Sequence, residues 1–78
     1  MIFKIQLKTI EDIKDFCNIC CKQDFEIDVI EGRYIIDAKS IMGLFSLNVS
    51  KTLNIRIHED NKYKLDTFIM NCKKWIID

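Results

Sequence analysis

The chain opens on an alternation. Phe3, Ile5 and Leu7 fall on one side and Lys4, Gln6 and Lys8 on the other, the period of two expected of a half-buried strand. A strand over Ile2 to Lys8 is predicted. Thr9 then offers a capping hydroxyl, and Glu11 and Asp12 put acid into the turn that follows, the signature of a helix start. Ile10, Ile13, Phe16, Cys17 and Cys20 recur at spacings of three and four. They make one apolar face of a helix from about Ile10 to about Lys22, with Asp12, Lys14, Asp15 and Asn18 largely opposite. Phe25, Ile27 and Val29 alternate with Glu26 and Asp28 as a second strand. Glu31-Gly32 is its turn, since glycine accepts positive φ. A third strand runs from about Arg33 to Ala38, where the adjacent Ile35 and Ile36 blur the register in the way a bulge would.

Ser40 follows as the N-cap of a short helix, its side-chain oxygen suited to accept from a free backbone N–H one turn in. Beyond it Leu53, Ile55 and Ile57 alternate with Asn54, Arg56 and His58 in a fourth strand. Glu59-Asp60-Asn61 is a polar loop with a capping residue. A last helix is predicted from about Lys62 to Ile77, with Leu65, Phe68, Ile69, Cys72 and Ile76 inward and Trp75 at the edge. The order is βαββαβα. Four strands and three amphipathic helices predict an α+β domain, a four-stranded antiparallel sheet with its helices on one face.

The short helix carries more apolar surface than one face can bury. At about 100° per residue, Leu44 and Leu47 share the core side while Met42 and Phe45, likewise three apart, are turned away from it. Ile41 fits the core side by spacing but lies in the first turn, near the rim. An apolar cluster left outside and rimmed by polar groups marks a docking surface. The pattern makes Met42 and Phe45, with Ile41 at the rim, the candidate partner-binding surface; the adjoining Lys39 and Ser40 enter through the family resemblance of this segment.

Composition narrows the function classes. Twelve basic residues balance twelve acidic ones, so no bulk charge draws the chain to nucleic acid or an anionic membrane. No apolar run reaches the roughly 18–20 residues of a spanning helix, and the N-terminus alternates instead of forming a signal peptide's apolar block. The expectation is a cytoplasmic monomer of one domain, residues 1–78, whose partners are proteins, with no nucleic acid and no membrane insertion. The four cysteines read as small buried hydrophobes on helix faces. Cys17-x-x-Cys20 sits within a helix and has no histidine near it, so no metal site is expected, and no cofactor is implied. His58, the chain's single histidine, reads as a surface residue at the edge of the sheet.

The segment Gly32…Asp37-Ala38-Lys39-Ser40-Ile41-Met42-Gly43-Leu44-Phe45-Ser46-Leu47 resembles the regulatory-serine segment of HPr, the small histidine-containing phosphocarrier of the bacterial sugar phosphotransferase system. The element order extends that resemblance over nearly the whole chain. It implies an HPr-like open-faced β-sandwich with strand four between strands one and two. It also implies that Ser40 is a regulatory phosphorylation site, and that Ile41, Met42 and Phe45 meet protein partners. Where the family usually has glycine after this helix the chain has Asn48, the next-best residue for a left-handed helix end. In HPr the first helix begins with the phosphorylated histidine, followed by arginine and proline. Here those positions fall at about Lys8 to Asp12, where none of the three occurs, and Glu11 and Asp12 place negative charge where a phosphoryl group would sit. No residue is therefore assigned a catalytic role, and no enzyme activity is expected. Two functions follow: a non-catalytic or regulatory module docking through the Ser40 helix, or a phosphocarrier whose phosphorylation site is displaced or misaligned. A thiol or zinc protein is a third, weaker class.

Overall fold

The computed structural model describes residues 1–48 and 50–77. Its strands are β1 (Ile2–Ile5), β2 (Glu26–Glu31), β3 (Tyr34–Asp37), β4 (Leu53–His58) and β5 (Ile76–Ile77). Its helices are α1 (Ile10–Cys21), α2 (Ile41–Phe45) and α3 (Lys62–Cys72), and a 3-10 turn over Lys73–Trp75 joins α3 to β5. The strands form one antiparallel sheet in the order β3-β2-β4-β1-β5. β4 thus lies between β1 and β2, as expected.

Strand alternation decides the two faces. Ile5 of β1, Ile27 and Val29 of β2, and Leu53, Ile55 and Ile57 of β4 are buried. They meet Ile13, Phe16, Cys17 and Cys20 of α1, Leu44 of α2, and Phe68 and Cys72 of α3 in one core. Phe68 packs edge-on against Phe25 at a centroid distance of 5.9 Å, and Phe16 against Trp75 at 5.8 Å, the T-shaped geometry that aromatic quadrupoles favour. The opposite face is open. There Asp28 accepts from Arg56 Nη2 at 3.0 Å and lies 2.8 Å from His58 Nε2.

Several expectations are corrected. The sheet has five strands rather than four. The last helix ends at Cys72 instead of Ile77, and Ile76–Ile77 pair with Lys4 and Ile5 on the free edge of β1. Trp75 is buried rather than marginal, and its carbonyl accepts from Gln6 N–H at 2.9 Å. No bulge interrupts the described β2–β3 ladder: Val29 faces Ile36 and Ile30 faces Ile35, with Asp28–Asp37 next in register. Ile36 turns to the core and Ile35 to the open face, where it stays exposed. The β2–β3 turn is Gly32-Arg33, with Gly32 at φ 59°, a backbone that favours glycine in two-residue hairpins. Cys21 is exposed, unlike the other three cysteines. No helix among the described residues is long and apolar enough to cross a membrane.

Candidate functional site

The segment between β3 and α2 is held from several directions. Ala38 is buried and its N–H donates to Ile27 O at 2.9 Å, so β3 continues to pair with β2 one residue beyond its assigned end. Asp37 Oδ1 accepts from Lys39 N–H at 2.9 Å and Asp37 O accepts from Ser40 N–H at 2.9 Å, which turns the chain off the sheet. The Lys39 ammonium donates to Gln23 O at 2.9 Å, and Cys21 Sγ lies 3.6 Å from Lys39 O, its S–H donating there. Both contacts tie Lys39 to the C-terminal end of α1.

Ser40 has extended backbone (φ −99°, ψ 101°), and its Oγ accepts from Gly43 N–H at 3.2 Å, the capping bond its position predicts. The helix ends without a left-handed residue. Ser46 is right-handed helical (φ −81°, ψ −11°), and its hydroxyl donates to Gly43 O at 2.6 Å. Asn48 has no positive φ; its Oδ1 instead accepts from the Ser50 hydroxyl at 2.6 Å. The side chain of Asn48 closes its own turn, so the expected helix end is corrected.

Leu44 anchors α2 in the core at 0 % exposure, while Met42 is 76 % and Phe45 42 % exposed. Ile41 and Leu47 are partly buried against the core. The helix therefore divides its apolar residues as the 100° rotation requires. More than half of Phe45 is covered. Beside the C-terminal end of α2 is a shallow cleft of about 380 Å³ lined by Glu31, Tyr34, Ser46, Leu47 and Asn48. Tyr34, 64 % exposed, belongs to this surface although its strand pattern gives no hint of it. Only the hairpin geometry, which carries the start of β3 alongside the end of β2, brings it there.

The start of α1 is closed on itself. Thr9 Oγ1 accepts from Asp12 N–H at 3.0 Å, and Asp12 Oδ2 accepts from Lys8 N–H at 3.0 Å. These bonds use donors at a helix N-terminus that would otherwise attract an anion. The Lys8 N–H, followed by the Trp75 indole, holds the Asp12 carboxyl below the usual carboxylate range. His58 lies elsewhere, on the open face at the end of β4. That is a central strand rather than the expected sheet edge, and the histidine sits beside the start of β1, where Ile57 N–H donates to Met1 O. The structure thus gathers Lys39, Ser40, Ile41, Met42 and Phe45 into one region and sets His58 apart from the Lys8–Asp12 turn at the other end of β1. Among the described residues, no group of three or more His, Cys, Asp or Glu is arranged to hold a metal ion.

Among the described residues, a five-stranded antiparallel sheet with one open face and three helices on the other, the second of them short and capped after the third strand, defines the HPr-like α+β fold. The crystal structure of HPr-C-His from Thermoanaerobacter tengcongensis shares it, with a TM-score of 0.74 at 22% sequence identity over 95% of this chain and 90% of that one. No protein-family model and no curated protein matches the chain.

Proposed function

We propose that this chain is an HPr-like protein-binding module of the cytoplasm, non-catalytic and monomeric, related to the sugar phosphotransferase system and docking through the Ser40 helix. The observation that carries this reading is the split of α2, with Leu44 fully buried and Met42 and Phe45 outside. Aromatic and methionine side chains are favoured in interface cores, and here they sit on a helix that the core holds in place. Lys39 and Ile41 extend the surface on the N-terminal side. Ser40 is exposed, so a kinase can reach it. A phosphoryl group on its Oγ would add about two negative charges in the middle of the docking surface.

The loss of phosphocarrier chemistry is the second half of the reading. The Lys8–Asp12 turn has no histidine, and two of its backbone donors, the Lys8 and Asp12 N–H groups, are taken by the Asp12 and Thr9 side chains. The experiment is incubation of the purified protein with phosphoenolpyruvate and the first enzyme of the phosphotransferase system, followed by intact mass measurement. No phosphate should be transferred. Acid-labile phosphate at His58 would favour a phosphocarrier with a displaced site instead.

A further inference from the structure

We infer that Cys17 and Cys21 form a peroxide-responsive dithiol whose closure to a disulfide loosens the start of the Ser40 helix. The two residues are one turn apart on the same side of α1, and their sulfurs are 4.0 Å apart. Cys21 is exposed and Cys17 buried, so one thiol meets solvent and the other backs it. Cys21 is also the last residue of α1, where the helix is easiest to unwind.

The chemistry follows from that asymmetry. Burial, with Cys21 beside it, pushes the Cys17 thiol up to about 11, and the thiolate is the nucleophilic form. Cys21, the thiol that solvent reaches, reacts first. Its thiolate attacks hydrogen peroxide: an S–O bond forms, the O–O bond breaks, and the departing hydroxide becomes water. Cys17 then gives up its proton and attacks the Cys21 sulfur; the S–S bond forms, the S–O bond breaks, and a second water leaves. Two thiols are oxidised and one peroxide reduced. Cys20 and Cys72, both at 0 % exposure, are shielded from the same reagent.

Closure has a mechanical consequence. Helix residues four apart have Cβ atoms about 5–6 Å apart, whereas a disulfide needs about 3.5–4.5 Å. The last turn of α1 must give. That turn carries the S–H donating to Lys39 O and leads to the Gln23 carbonyl that accepts from Lys39 Nζ. Lys39 immediately precedes the capping Ser40, so both ties from the end of α1 to the residue before the cap are disturbed by one bond, while the Asp37 bond to its N–H is left in place. The consequence for partner binding rests on the docking reading above; the chemistry and its structural effect do not.

The test is oxidation of the whole protein by stoichiometric hydrogen peroxide, with thiol blocking, mass measurement, and hydrogen exchange at the Gly43 amide. Wild type should lose two hydrogens, keep Cys20 and Cys72 as free thiols, and exchange at Gly43 about tenfold faster, with protection restored by dithiothreitol. Cys17→Ala should gain oxygen at Cys21 instead of closing, and the surface variant Cys21→Ser should stay unreactive over the same time. Oxygen accumulating on Cys21 with Cys17 present, or a disulfide that includes Cys20 or Cys72, would overturn the dithiol. A Cys17–Cys21 disulfide with Gly43 protection unchanged would overturn the link to the helix. All of these are read without any partner, so failure of the docking proposal leaves them standing.

Discussion

Replacing Gly43 with alanine tests whether α2 is pressed onto β3 as closely as the structure requires. A Cβ at this position would lie 2.6 Å from Ile36 Cγ2 and 3.2 Å from Ser40 Oγ. Carbon atoms pack comfortably at about 3.5–4.0 Å, so the new methyl overlaps Ile36 by roughly 1 Å. Ile36 cannot easily turn away. It is β-branched and stiff at χ1, and its strand is fixed by the Val29 pairing. Against the clash stands the helix preference of alanine over glycine, about 1 kcal/mol. Overpacking of this kind costs about 1–3 kcal/mol, so Gly43→Ala should destabilise by about 1 kcal/mol net, within a range of roughly 0–2. In an Ile36→Ala background the obstructing methyl is gone and only the helix preference remains. There the same substitution should stabilise by up to about 1 kcal/mol. Urea denaturation of the four proteins, compared by midpoint at constant m, measures the cycle. Effects that add to within about 0.3–0.5 kcal/mol would refute the close packing of α2 on Ile36.

Five further substitutions have expected outcomes. Leu44→Ala should cost about 2–5 kcal/mol in urea midpoint analysis, as for a buried leucine, while Met42→Ala stays within about 0.5 kcal/mol. Phe45→Ala should fall between these, at about 1–2 kcal/mol, because more than half of the residue is covered; it should also lose partner binding by about 1 kcal/mol or more, by calorimetry once a partner is in hand. Thr9→Ala should cost about 1 kcal/mol by removing the α1 cap, read from thermal or urea unfolding. The Asp28 carboxyl is held below its ordinary value by the His58 and Arg56 hydrogen bonds. Its stabilising contribution is therefore complete above the unfolded aspartate range of about 4 and disappears as pH falls through the lowered folded value; Asp28→Asn should flatten that part of the stability–pH curve.

Most of the fold was legible because local pattern and tertiary structure agree. The alternations in β2 and β4 and the spacing in α1 each specify one buried face, and burial of Ile27, Val29, Phe16 and Cys20 follows directly. The end of α3 was not legible. Leu65, Phe68, Ile69, Cys72 and Ile76 keep helical spacing, and no glycine or proline marks a stop. What ends the helix is the free edge of β1 more than seventy residues away, which takes Ile76 and Ile77 as a strand. Tyr34 and the cleft beside α2 were hidden for a similar reason, since hairpin pairing rather than sequence spacing assembles them. The Met42–Phe45 side of α2 could be read from rotation alone. The exposure of Cys21 could not, because Cys20 beside it is buried and the boundary between them depends on where α1 meets the 38–40 segment.

The central position of β4 also sets the order in which this chain can be built. β1 and β2 never touch each other as ladder partners; β4 stands between them and pairs with both. As the chain leaves the ribosome, only the β2–β3 hairpin can form from local neighbours. β1 has no native partner until Leu53–His58 has emerged, and its other partner, β5, comes later still in the chain. The β1–β4–β2 part of the sheet thus waits for Leu53–His58, and the long loop that must then close makes pairing of β1 the slow, entropically costly step. A nascent chain stalled before β4 would present Phe3, Ile5 and Leu7 without a sheet to receive them, and that is the interval in which this protein would depend most on chaperones.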